Sequence, residues 1–141
     1  ALFERHFAAA EQTSGKLVVG FSREFFTFKF STDIDVAAKA ERLRLAFPQE
    51  ASVLLVVREQ ASIIRSMYKE FIRNGYARTF SEFAQWLYEQ KDRNFVSCLK
   101  YDRVYEKYSD LFGAKNVHLS PFELVHSSPQ AFMQAVGAAL A

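Results

Sequence analysis

One cysteine, Cys98, is all the chain contains. An internal disulfide is therefore excluded, and no cysteine pair exists to open a zinc site, so a reducing, cytoplasmic setting is the expectation. No apolar run approaches the ~20 residues that a membrane-spanning helix needs, and no charged segment followed by an apolar one marks a signal peptide at the start. Excess charge is lacking too. The 18 Lys and Arg against 16 Asp and Glu leave a formal charge of +2, too little to predict binding to nucleic acid or a membrane surface by electrostatics alone. Any basic function must be local.

What is present is apolar and aromatic. Half of the 141 residues are hydrophobic and 15 are Phe, a composition that excludes disorder and suits one domain with a real core. Ala1-Leu2-Phe3 enters directly into a helix-like pattern (Leu2, Phe3, His6, Phe7, Ala10) without an N-cap and without an initiator Met. The expectation is a segment lying inside a longer protein.

After that opening helix, Thr13-Ser14-Gly15 is a turn and residues 16–22 read as a short buried strand. Phe26, Phe28 and Phe30 alternate as in a strand, and form either core or the wall of a pocket. Thr32 or Asp33 is expected to cap a helix with Val36, Ala40, Leu43 and Phe47 on its apolar face, stopped by Pro48. Residues 52–58 then form an apolar strand, and a helix runs from Gln60 to Arg73, ended by Asn74-Gly75. Its stripe is Ile63, Met67 and Phe71, with Ile64, Tyr68 and Ile72 beside it. Thr79 and Glu82 make a capping box for a helix through Phe83, Trp86 and Leu87. Val104, Tyr108 and Leu111 mark a further helix closed by Gly113, residues 116–120 a third strand, and Ser128-Pro129 the start of a terminal helix. The order αβαβααβα predicts an α/β fold with a parallel sheet. Three strands make a thin sheet, so at least one more strand is expected upstream.

Few residues in this frame carry chemistry. Gly15-Lys16 is not a phosphate loop, since Ala10 and Leu17 occupy positions that need Gly and a hydroxyl residue, and the dipeptide precedes a strand. His6, His118 and His126 have no carboxylate or cysteine cluster near them, so no metal is expected. Glu123 is expected to bond to backbone or to a nearby base. Arg58 ends an apolar strand, where open α/β sheets place their ligands, and Ser66 follows two turns into the next helix. A guanidinium fork and a hydroxyl there suit one phosphate. The alternative is an ion pair for Arg58 and a serine that merely flanks a packed face.

The segment Val53–Tyr68, VLLVVREQASIIRSMY, resembles the 3′-phosphate-binding segment of the sulfotransferase superfamily, whose members transfer a sulfuryl group from 3′-phosphoadenosine 5′-phosphosulfate (PAPS). Arg58, Ser66 and Tyr68 match its pattern, and Arg-Glu-Gln at 58–60 is similar to the bacterial-type variant. Similarity extends through GYARTFSEFAQWL, YEKYSDLFGAKNVHLSPFELV and SPQAFMQAV, over most of residues 16–141.

This resemblance implies a three-layer sandwich with a parallel sheet, of the P-loop-NTPase-like sulfotransferase kind, whose N-terminal strand and 5′-phosphosulfate loop would precede Ala1. Without that loop the segment alone is expected not to transfer sulfate. It further implies PAPS as donor, no metal, Arg58 and Ser66 as donor-binding residues, and a hydroxyl or amine acceptor, a carbohydrate or small molecule. Glu24, just past the first strand, is the candidate general base, with a surface carboxylate as the alternative. The competing reading of the whole is a noncatalytic nucleotide-binding or protein-interaction module on the same scaffold.

Overall fold

The computed structural model describes residues 35–47 and 51–140. The expected strand at 16–22, the Phe26-Phe28-Phe30 group, Glu24 and Pro48 lie outside them. Helix α1, Val36–Ala46, starts behind Asp35, whose carboxylate accepts the Ala37 N–H at 3.1 Å. The cap therefore falls later than the expected Thr32 or Asp33, both outside the described residues.

Strands β1, Val53–Val57, and β2, Val117–Pro121, pair in parallel with Val53 opposite Val117 and Val57 opposite Pro121. The Phe122 N–H continues the ladder onto the Val57 carbonyl at 2.7 Å. Helices α2, Gln60–Arg73, α3, Phe80–Glu89, and α4, Tyr101–Phe112, lie between the two strands in sequence, as a parallel pair requires of its crossover. The described residues thus form a mixed α/β arrangement around a two-stranded parallel sheet. The apolar run of β1 is not fully covered. Leu55 is buried, whereas Val56 is 46% exposed and Leu119 on β2 is 47% exposed.

Two apolar clusters hold the helices. In the first, Ala40 of α1 and Val104 and Tyr108 of α4 close on Leu55 and Val117 of the sheet, with Val36, Leu43 and Phe112 packed around them. In the second, Phe83 and Leu87 of α3 meet Phe95 and Leu99 of a 3₁₀ turn, Phe95–Leu99. The face of α2 that joins this cluster is Ile63, Ile64, Met67, Tyr68 and Phe71. Ile72, expected beside that stripe, is 44% exposed and does not join the cluster, although its neighbour Phe71 does. Asn94 is buried at the junction, its amide donating to the Leu87 carbonyl and its oxygen accepting the Val96 N–H, both at 2.9 Å. Sequence reading gave no sign of this turn, since its five residues are too few for a period.

Gly75 and Gly113 close α2 and α4 with φ of 92° and 85°, backbone that side chains rarely adopt. Beyond β2 come the one-turn helix α5, Leu124–Ser127, and the terminal α6, Pro129–Leu140. No described helix is long and apolar enough to cross a membrane.

Candidate functional site

Strands β1 and β2 end side by side, and the residues that follow them form one wall. Arg58 and Glu59 follow β1, and Phe122 and Glu123 follow β2. With Ser62 in the first turn of α2 and His126 and Ser127 at the end of α5, Arg58, Phe122 and Glu123 line an open cavity of about 440 Å³. This size is within the range of small-molecule sites. It lies at the carboxyl end of a parallel strand pair, where α/β sheets bind ligands.

Arg58 is half-buried, and its guanidinium carbon sits 5.2 Å from the centre of the Phe122 ring. The ion pairs among the described residues, such as Arg65 with Glu59 and Lys107 with Glu41, do not include Arg58. Its charge is therefore neutralised by no direct carboxylate contact there. The Phe122 ring has a second neighbour, the His126 imidazole, edge-on at 6.0 Å.

The backbone beneath Arg58 is tied on both sides. Its carbonyl accepts the Tyr101 hydroxyl at 2.6 Å, and the next N–H, that of Glu59, donates to the Glu123 carboxylate at 2.9 Å. Gln60 adds a bond from its side-chain amide to the Leu99 carbonyl at 2.7 Å. Burial raises the Tyr101 phenol above its ordinary value, and the Glu123 and Glu59 carboxylates act in the same direction. The Glu123 carboxyl is held below the usual carboxylate range, first by the Glu59 N–H and then by its own backbone N–H, against an opposing effect of burial, with the Arg58 charge adding the smallest contribution.

Glu59 is spent on α2. Its carboxylate caps the helix by accepting the Ala61 N–H at 2.9 Å and the Ser62 N–H at 2.6 Å. The first free N–H groups of a helix commonly hold anions, but here their own carboxylate occupies them. An anion in the cavity would have the Arg58 fork and side-chain hydroxyls as its donors.

The predicted residues fare differently. Arg58 lines the cavity. Ser66 is exposed on α2, one turn beyond Ser62 and on the same helix face, and is not part of the lining. Tyr68 turns instead to the second cluster, its hydroxyl donating to the Arg78 carbonyl at 3.0 Å and its ring 5.4 Å from Phe83. Glu24 lies outside the described residues. Glu123 meets its expectation of a backbone bond. Tyr101 and Ser62 were not foreseen; Ser62 could have been, four residues before Ser66, whereas nothing near Tyr101 in sequence points to Arg58.

Among the described residues no group of three His, Cys, Asp or Glu side chains could hold a metal ion. No protein-family model, curated protein or solved structure matches the chain.

Proposed function

We propose that this chain is part of a PAPS-dependent sulfotransferase, with the cavity beside Arg58 taking the 3′-phosphate end of the donor. The supporting observation is Arg58 itself, a strand-end guanidinium that faces an open cavity with no ion pair among the described residues. A structural arginine ordinarily spends its fork on a carboxylate. This one is stacked on Phe122 with the fork left for a ligand. Ser62 supplies a hydroxyl donor in the same lining, and Ser66, one turn further along α2, is the donor-binding serine that the resemblance proposes. The finer fold proposed is the P-loop-NTPase-like three-layer sandwich, its sheet completed by strands outside β1 and β2.

The reaction is in-line transfer. The acceptor oxygen or nitrogen bonds to the donor sulfur as the bond from sulfur to the 5′-phosphate oxygen breaks, leaving adenosine 3′,5′-bisphosphate. The acceptor proton passes to a general base, for which Glu24 is proposed. Donor binding supplies positioning, and cations at the leaving phosphate supply charge stabilisation. The acceptor is proposed to be a hydroxyl or amine of a carbohydrate or small molecule.

Binding of adenosine 3′,5′-bisphosphate and of 5′-AMP by the full-length protein tests the reading. The wild type should prefer the bisphosphate, and Arg58→Ala should lose that preference with a cost on the order of tenfold to a hundredfold in bisphosphate affinity. Equal affinity of the wild type for both nucleotides would overturn the 3′-phosphate assignment and leave Arg58 a structural residue.

A further inference from the structure

The peptide between Arg58 and Glu59 is bonded at both of its polar atoms by side chains distant in sequence. Tyr101, 43 residues from Arg58, donates to the carbonyl, and Glu123, 64 residues from Glu59, accepts from the N–H. Peptides that follow a strand usually find such partners in water or in neighbouring backbone. Here two side chains from two separate elements fix the peptide plane, and the guanidinium of the same residue rests on Phe122, the neighbour of Glu123. The Phe122 N–H in turn bonds to the Val57 carbonyl at 2.7 Å, so the two strand-end segments are bonded in both directions.

We propose that Tyr101 and Glu123 are positioning residues, clamping the Arg58–Glu59 peptide so that the Arg58 guanidinium is presented to a 3′-phosphate in a fixed place. The inference rests on the sulfotransferase reading for its ligand, and on the hydrogen bonds alone for the clamp. An arginine side chain has much rotamer freedom to lose when its fork engages an anion. Fixing the backbone and stacking the guanidinium before the ligand arrives removes part of that loss from the binding step. Tyr101 suits the task because a phenol is a proton donor across the physiological range and its hydroxyl already sits 2.6 Å from the Arg58 carbonyl. Glu123 has a second effect: its negative charge near Arg58 opposes an incoming anion. The positional and charge effects can therefore be separated by substitution.

The test uses the full-length protein, with adenosine 3′,5′-bisphosphate and 5′-AMP as calorimetric probes and ¹⁵N relaxation of the Arg58 Nε–H as a measure of side-chain order. Tyr101→Phe should weaken bisphosphate binding on the order of fivefold, with 5′-AMP changed by less than about twofold; Glu123→Ala loses the bond and the opposing charge together, so it should bind the bisphosphate about fivefold more weakly than the equally neutral Glu123→Gln. Glu123→Gln keeps an acceptor for the Glu59 N–H while removing the charge, so it should bind the bisphosphate at least as well as the wild type. Arg58 order should fall in Tyr101→Phe and Glu123→Ala and hold in Glu123→Gln. Equal losses for both nucleotides, or unchanged Arg58 order in Tyr101→Phe, would overturn the clamp. If the wild type fails to prefer the bisphosphate while Arg58 order still falls in the variants, the donor assignment is lost and the positioning role stands.

Discussion

Glu123 accepts the Glu59 N–H at 2.9 Å across the ends of β1 and β2, joining segments 64 residues apart. This bond, and then the bond from its own backbone N–H, lower the Glu123 pKa below its ordinary 4.5, and the sign of the pH effect follows. A carboxyl whose folded pKa is depressed contributes stability that is complete above its unfolded value and fades as pH falls through the folded one. Carboxyl ¹³C titration should place the Glu123 midpoint below 4.5. The stability advantage of wild type over Glu123→Ala should be flat above about pH 5 and shrink below it. A midpoint at or above the ordinary value would show that the bond is absent in solution.

Tyr108 predicts the opposite limb. It is 2% exposed, against Phe112 at a ring separation of 5.9 Å, and burial pushes its phenol up to about 12 from 10.0. The unfolded chain therefore gives up this proton first. Stability from Tyr108 is intact below pH 10 and falls between about 10 and 12, by roughly 2 to 3 kcal/mol in all. Tyr108→Phe should flatten that part of the alkaline limb in denaturant titrations from pH 8 to 12. An identical limb in the variant would assign the alkaline loss to other groups.

Phe83 is the hub of the second cluster. It is fully buried, with the rings of Tyr68, Phe71, Tyr76 and Trp86 at 5.4, 5.2, 5.7 and 5.9 Å. Phe83→Ala should cost about 3 to 5 kcal/mol. Phe83→Leu retains most of the volume and should cost markedly less. Urea unfolding at a common slope measures both, and a loss below about 1 kcal/mol for the alanine variant would mean that the cluster collapses to fill the space.

How much of this was legible in the sequence depends on the range of the forces involved. Local signals carried the elements: Gln60–Arg73 with its Asn74-Gly75 stop, the Thr79 and Glu82 capping box, and Gly113 after α4 all stand where their spacing and caps place them. Each reports physics within a turn or two of backbone. The cap of α1 moved because Thr32, Asp33 and Asp35 are equivalent by residue type, and only the packing of Val36, Ala40 and Leu43 on the sheet selects among them. Arg58 was legible as a strand-end charge. Its partners were not, because the Tyr101 and Glu123 bonds are set by how α4 and β2 return to β1. That Ser62 lines the cavity was not legible for the same reason. Spacing from Arg58 gives a distance along the chain, whereas the cavity wall depends on where the segment after β2 sits.

The two serines support a final prediction. Ser62 lines the cavity with Arg58, while Ser66 is exposed one turn further along the same face of α2. A phosphate held against Arg58 inside the cavity would use the Ser62 hydroxyl. A phosphate held further out along the helix, as the resemblance implies, would use Ser66. A hydrogen bond to a charged group is worth roughly 1.5 to 3 kcal/mol, so removing the serine that makes it should cost on the order of tenfold or more in affinity. Removing the other should cost little. With the phosphate in the cavity, bisphosphate affinity in the full-length protein should fall most for Arg58→Ala, then for Ser62→Ala, and least for Ser66→Ala. Arg58→Lys should recover only part of the loss, because an ammonium has no planar fork. A larger loss for Ser66→Ala than for Ser62→Ala would move the phosphate outward along α2. Losses for neither serine would leave the Arg58 fork as the only phosphate donor of the three side chains.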